Sequence, residues 1–155
     1  MYLYFSLTIA FLFATLATTF INPNIKSDLT SQLTNHELQM YKKITSFRAR
    51  IYYEGLLLGI IISIFYLFIF YKSKYFHLNI FVALTITFVI NYFYYMLYPK
   101  PFYMLQILDS NSENVAWLKI YKYMQFRYHL AFLLGLIFSF FLYITIINYN
   151  IRINI

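Results

Sequence analysis

A chain of 155 residues that is 62% hydrophobic and 24% aromatic, yet only 11% charged, departs from the usage of soluble domains; a soluble monomer of that length could not hide so much apolar surface. The absence of cysteine excludes disulfides, thiol nucleophiles, thiolate metal sites, prenylation and palmitoylation, and Tyr2 in place of glycine excludes N-myristoylation. The net charge of +7 raises nucleic acid as a partner, but the positive residues lie beside apolar runs and follow a topology rule, so no nucleic acid is expected.

Four apolar runs, at residues 3–21, 51–71, 80–98 and 130–147, approach the twenty or so residues that cross a hydrocarbon core of roughly 30 Å. The expected fold class is all-α: an integral membrane four-helix protein made of two parallel two-span repeats, residues 1–76 and 77–155, with cytoplasmic helical extensions of spans two and four. The first run lacks a basic flank, and Thr15-Leu16-Ala17 is a poor small-residue cleavage site, so it is read as an uncleaved span rather than a signal peptide. Pro23 then marks a turn. Thr34 with Glu37 fits a capping box, in which the hydroxyl takes the N3 amide and the carboxylate reaches back to the N-cap amide. No proline follows before residue 71, so one helix is predicted from a cytoplasmic segment at 35–50 through the span at 51–71, roughly 55 Å long.

Within that span Gly55, Gly59 and Ser63 recur every fourth residue and form a groove where another backbone can approach closely. Glu54 is the one acidic residue at the edge of an apolar run, which makes it a functional candidate, and Arg50 one turn back is its expected partner. In the third run Asn91 is read as an interhelical hydrogen-bonding group. Ser110 with Glu113 repeats the capping box and opens a helix at 111–129 that continues into the fourth span, where Ala131, Gly135 and Ser139 repeat the small-residue spacing. Spans two and four are expected to pack on each other through these grooves, or to pair in an oligomer. Trp117, Tyr121, Met124 and Tyr128 recur at spacings of four, three and four and form one packing face of the stalk. Tyr52, Tyr128, His129 and Arg127 stand at the level of Glu54 and make a candidate ion or proton cluster.

Lys26, Lys42, Lys43, Arg48 and Arg50 crowd the first long loop, and Lys100, Lys119, Lys122 and Arg127 the second. The positive-inside rule puts both long loops in the cytoplasm and both termini on the lumenal or exterior side. Lys42, Lys43, Lys119, Lys122 and Arg127 are expected in solvent or at anionic headgroups.

An internal duplication is read from an offset of 76 residues, which lays Asn35 on Asn111, Glu37 on Glu113, Tyr41 on Trp117, Lys43-Ile44 on Lys119-Ile120, Tyr52 on Tyr128, Leu57-Leu58-Gly59 on Leu133-Leu134-Gly135 and Ser63 on Ser139. Pro23 lands on Pro99. Two spans per unit return the chain to its starting side, so the units are expected to relate by a pseudo-two-fold axis along the membrane normal.

No catalytic pattern is present: His36, His77 and His129 lack metal-ligand spacing, and there is no HExxH, P-loop or GxSxG. A non-enzyme without cofactor or metal is expected. The segment Tyr98-Pro99-Lys100, Tyr103-Met104-Leu105, Ala116 to Tyr121 and Met124-Gln125-x-Arg127-Tyr128-His129 with Gly135 resembles a stretch of uncharacterised multi-pass membrane proteins of nucleocytoplasmic large DNA viruses. That resemblance implies a virion inner membrane or host membranes and carries no activity with it. The leading expectation is a structural or partner-binding membrane protein, in contact with the lipid bilayer and with copies of itself or other membrane proteins. The alternatives are a small transporter or channel with its pathway at the repeat interface, and a subunit of a larger membrane complex.

Overall fold

The computed structural model describes residues 2–18 and 23–153, with side chains over 2–18 and 26–149, and the regular structure among them is all helical. The elements are α1 (Tyr2–Ala17), α2 (Pro23–Thr30), α3 (Asn35–Ile69), α4 (Phe76–Leu97), a 3-10 turn at Met104–Gln106, and α5 (Asn111–Ile153). Both predicted capping boxes are formed. The Glu37 carboxylate accepts from the Thr34 amide at 2.7 Å while Thr34 Oγ1 accepts from the Glu37 amide at 3.4 Å. The Glu113 carboxylate accepts from the Ser110 amide at 3.0 Å and Ser110 Oγ from the Glu113 amide at 3.2 Å.

From these caps α3 runs unbroken for 35 residues and α5 for 43, since neither meets a proline. Helix α4 stops where Tyr98 turns extended, at φ −61° and ψ 127°, because the residue before Pro99 is pushed out of helical space. Three helices, α3, α4 and α5, are long and apolar enough to cross a membrane. Helix α1 is apolar but, at 16 residues, reaches only about 24 Å; the expected end of its span, 19–21, lies outside the described residues.

Helix α1 packs on α5, α5 on α4, and α4 on α3, while α2 lies along the stalk of α5, where Lys119 and Asp28 approach to 3.6 Å. The turn expected at Pro23 is the first residue of α2, where proline's fixed φ suits a helix start. Leu29 of α2 joins Tyr41, Ile44, Met104, Leu108, Trp117 and Ile120 in a buried cluster at the stalk. The buried face of α3 is one continuous stripe, Glu37, Tyr41, Ile44, Arg48, Ile51, Gly55, Gly59 and Ser63, at helical spacings of three and four. On α5 Glu113, Trp117 and Ile120 are buried in the stalk, with Met124 packed against the last two, and Gly135 and Ser139 are buried farther along; Tyr121, expected on the stalk face, is exposed.

The expected seam between spans two and four is not where the glycines face. A Cβ at Gly59 would meet the Thr87 backbone, one at Gly55 would meet Tyr94 and Asn91, and one at Gly135 would meet the Phe88 ring, all of them on α4. Both grooves therefore admit the third span.

Candidate functional site

The polar and aromatic groups gather where the stalk meets the apolar part of the bundle. Tyr128 on α5 has its hydroxyl 3.1 Å from the Tyr92 carbonyl and 3.3 Å from that of Asn91, and it donates to this pair from across the helix gap. Its ring stacks on Tyr92 at 5.4 Å and lies 4.6 Å from Tyr95 and 6.4 Å from Tyr52. The Tyr92 hydroxyl is 2.8 Å from His129 Nδ1. Aromatic pairs at these separations stabilise through both area and ring quadrupoles. Asn91, on the same turn of α4, is buried with an Oδ1 that accepts no hydrogen bond among the described residues.

Of the five residues expected to form an ion or proton cluster, Tyr52, Tyr128 and His129 come together here, joined by Tyr92 and Tyr95. Glu54 lies elsewhere. Its carboxylate accepts from Arg50 Nε at 2.7 Å and from the Tyr94 hydroxyl at 3.4 Å, on the flank where α3 meets α4. With the Arg50 side chain 76% exposed, this pair is screened by solvent and contributes little to stability.

Arg127 is also elsewhere, and it is half-buried. Its guanidinium donates to the carbonyls of Ala17 and Thr18 and to the Tyr123 hydroxyl, so it closes the C-terminal end of α1, where the helix dipole is negative. Lys100 does the same at the end of α4, donating to the Tyr95 carbonyl at 2.7 Å and the Tyr98 carbonyl at 3.2 Å. Burial, and the nearby charge of Arg48, hold the Lys100 ammonium below its ordinary pKa.

No family model, curated protein or solved structure matches this chain.

Deeper in the bundle, hydroxyls bond between helices and back along their own. Ser63 Oγ donates to the Ala83 carbonyl at 2.6 Å and lies 2.7 Å from Thr87 Oγ1. Ser139 Oγ bonds back to the Gly135 carbonyl at 2.9 Å, and Ala131, the last of the expected packing residues, is half-buried on the same helix. Thr8 and Thr145 approach to 3.0 Å between α1 and α5. Among the described residues no group of three His, Asp or Glu side chains is placed to hold a metal ion.

Sequence reasoning missed Tyr92, Tyr95 and the burial of Arg48. For Arg48 the signal was present, since it stands four residues after Ile44 and three before Ile51 on the apolar stripe; reading it as a topology charge hid that register.

Proposed function

We propose that this chain is a multi-pass integral membrane protein with a structural or partner-binding role, its spans fastened by small residues. The observation that carries this reading is the close seat of Gly59 on the Thr87 backbone, combined with apolar windows of α3, α4 and α5 that are mostly uncovered. Lipid is the environment that suits such surfaces, and small-residue contacts are how helices associate within it. The stalks then stand in the cytoplasm, as the loop charges argue, and offer exposed Leu118, Tyr121 and Phe126 among lysines to a partner or a second copy. Such a role needs no catalytic chemistry.

The two-unit organisation is part of this proposal. Two ring pairs, Tyr41 with Trp117 at 6.3 Å and Tyr52 with Tyr128 at 6.4 Å, each join residues that the 76-residue offset makes equivalent. Equivalent residues touch each other only beside a two-fold axis. The pairing of α1 with α5 likewise mirrors that of α4 with α3, whereas the packing of α4 on α5 has no comparable α1 to α3 contact.

The buried Asn91 oxygen beside the tyrosine and histidine layer favours a second reading, a small transporter or channel. Ion and proton flux across liposomes holding wild-type protein, His129→Gln and Glu54→Gln separates the two. Absence of flux in folded protein is expected; flux abolished by either substitution would overturn the structural role.

A further inference from the structure

Arg48 is the most buried cation of the stalk, about nine-tenths covered and set on the inward stripe of α3. Its guanidinium carbon lies 5.7 Å from the centre of the Trp117 ring, a cation–π contact that satisfies the face of the group but not its N–H edge. Nε is buried and donates to no acceptor among the described residues.

The acids are engaged elsewhere. Glu37 and Glu113 close the capping boxes, Glu54 pairs with Arg50, Asp28 lies by Lys119, and Asp109 is exposed in its loop. Lys100, the other cation at this end of α4, already donates to the Tyr95, Met96 and Tyr98 carbonyls. A buried cation without a counter-charge is strongly unfavourable unless an anion joins it. Arg48 stands three residues before the apolar run that opens at Ile51, and Lys100 two residues after the run that closes at Tyr98, so both lie at the same membrane surface. Lipid phosphates occupy that level, and a planar guanidinium fork matches their oxygens.

We propose that Arg48 binds a phosphate-type oxyanion at the junction of stalk and membrane, supplied by the headgroup of an anionic lipid or by free phosphate. The placement at headgroup level rests on the membrane reading given above; the donor geometry does not.

Trp117, the one tryptophan of the chain, touches Arg48 and reports on the site directly. The full chain in mild detergent is titrated with phosphatidic acid, with phosphatidylcholine, and with inorganic phosphate against chloride at equal ionic strength, following Trp117 emission. A saturable response to phosphatidic acid alone assigns the lipid source, and one to inorganic phosphate as well assigns a free oxyanion. Arg48→Gln is expected to weaken the apparent affinity about tenfold or more, since hydrogen bonds to a charged group are lost. Arg48→Lys, which keeps the charge but not the fork, weakens it less, and the exposed-lysine variants Lys42→Gln and Lys122→Gln leave it unchanged. No saturable response of the wild type to either anion overturns the proposal, as does an equal loss in Lys42→Gln and Arg48→Gln. Sedimentation without detergent tests the membrane reading by itself: a chain that stays monodisperse refutes that reading, while the phosphate titration still decides the role of Arg48.

Discussion

Gly59 determines how closely α3 and α4 approach, and replacing it with alanine is the sharpest perturbation of the bundle. A Cβ there would lie 2.8 Å from the Thr87 carbonyl oxygen and 3.1 Å from the Thr87 Cα. Ordinary contact begins at 3.4 Å, so Gly59→Ala drives the helices apart locally by about 0.6 Å, because a backbone has no rotamer into which to retreat. The separation also stretches the Ser63 bond to the Ala83 carbonyl, now 2.6 Å. Overpacking costs about 1–3 kcal/mol, a clash with backbone falling in the upper half of that range, and alanine returns about 1 kcal/mol of helix propensity, which leaves a net loss of about 1–2 kcal/mol. The closest clashes at Gly55 and Gly135 fall instead on the rings of Tyr94 and Phe88, which can turn aside, and leave at Gly55 only the milder 3.1 Å approach to Tyr94 Cβ. Thermal unfolding in mild detergent should therefore rank Gly59→Ala as the least stable of the three alanine variants. A Gly59→Ala protein as stable as wild type, or less damaged than Gly135→Ala, would refute the reasoning.

Thr34→Ala and Ser110→Ala should each cost about 1 kcal/mol, read as the shift in unfolding midpoint, because each removes an N-cap acceptor. Hydrogen bonds from Thr34 hold the Glu37 carboxyl below 4.5, so its stabilising effect is complete above that pH and lost as pH falls through the lower folded value; an acid titration of unfolding should show this in wild type and not in Glu37→Gln. Arg127→Gln should loosen α1 from α5, seen as amide exchange faster by about tenfold or more at residues 14–18, with exchange in α3 unchanged. Since the chain has no cysteine, His36→Cys and Ser112→Cys should react with an impermeant maleimide from one side of a sealed vesicle and Lys74→Cys from the other; labelling of His36→Cys and Lys74→Cys from the same side would sink the proposed topology.

What was legible in the sequence is what local chemistry dictates. The extents of α3 and α5 follow from two capping boxes and an absence of proline, all written within a few residues of where they act. Helix α2 was hidden because Pro23 signals a turn and a helix start alike, and its eight residues are too few for a periodic pattern. Small residues at Gly55, Gly59 and Gly135 announce that something approaches closely, but not what, and their partner proved to be α4, where Ala83 and Thr87, four residues apart, meet Ser63 and Gly59. The tyrosine layer was half visible: Tyr52, Tyr128 and His129 could be placed by level along their helices, whereas separating Glu54 and Arg127 from them needs the azimuth of each helix, which only tertiary packing settles.

That partner explains why one stripe on α3 changes character along its length. In the stalk the stripe is large, and Tyr41 and Ile44 reach across to Trp117 and Ile120 of α5. Below Ile51 it becomes glycine and serine, and the neighbour becomes α4. Thr87 meets Gly59 and Phe88 meets Gly135; adjacent residues of a helix point about 100° apart, so α4 is gripped on two faces by helices that part around it. The wedge narrows over the last turns of α4, where α3 and α5 touch through Tyr52 and Tyr128 beside Tyr95, and it ends past Leu97, where Phe47 meets Tyr98 at 6.3 Å. Side chains must become large again at that point to fill the space α4 vacates. Arg48 lies in that transition, about nine-tenths buried with the Trp117 ring over its guanidinium.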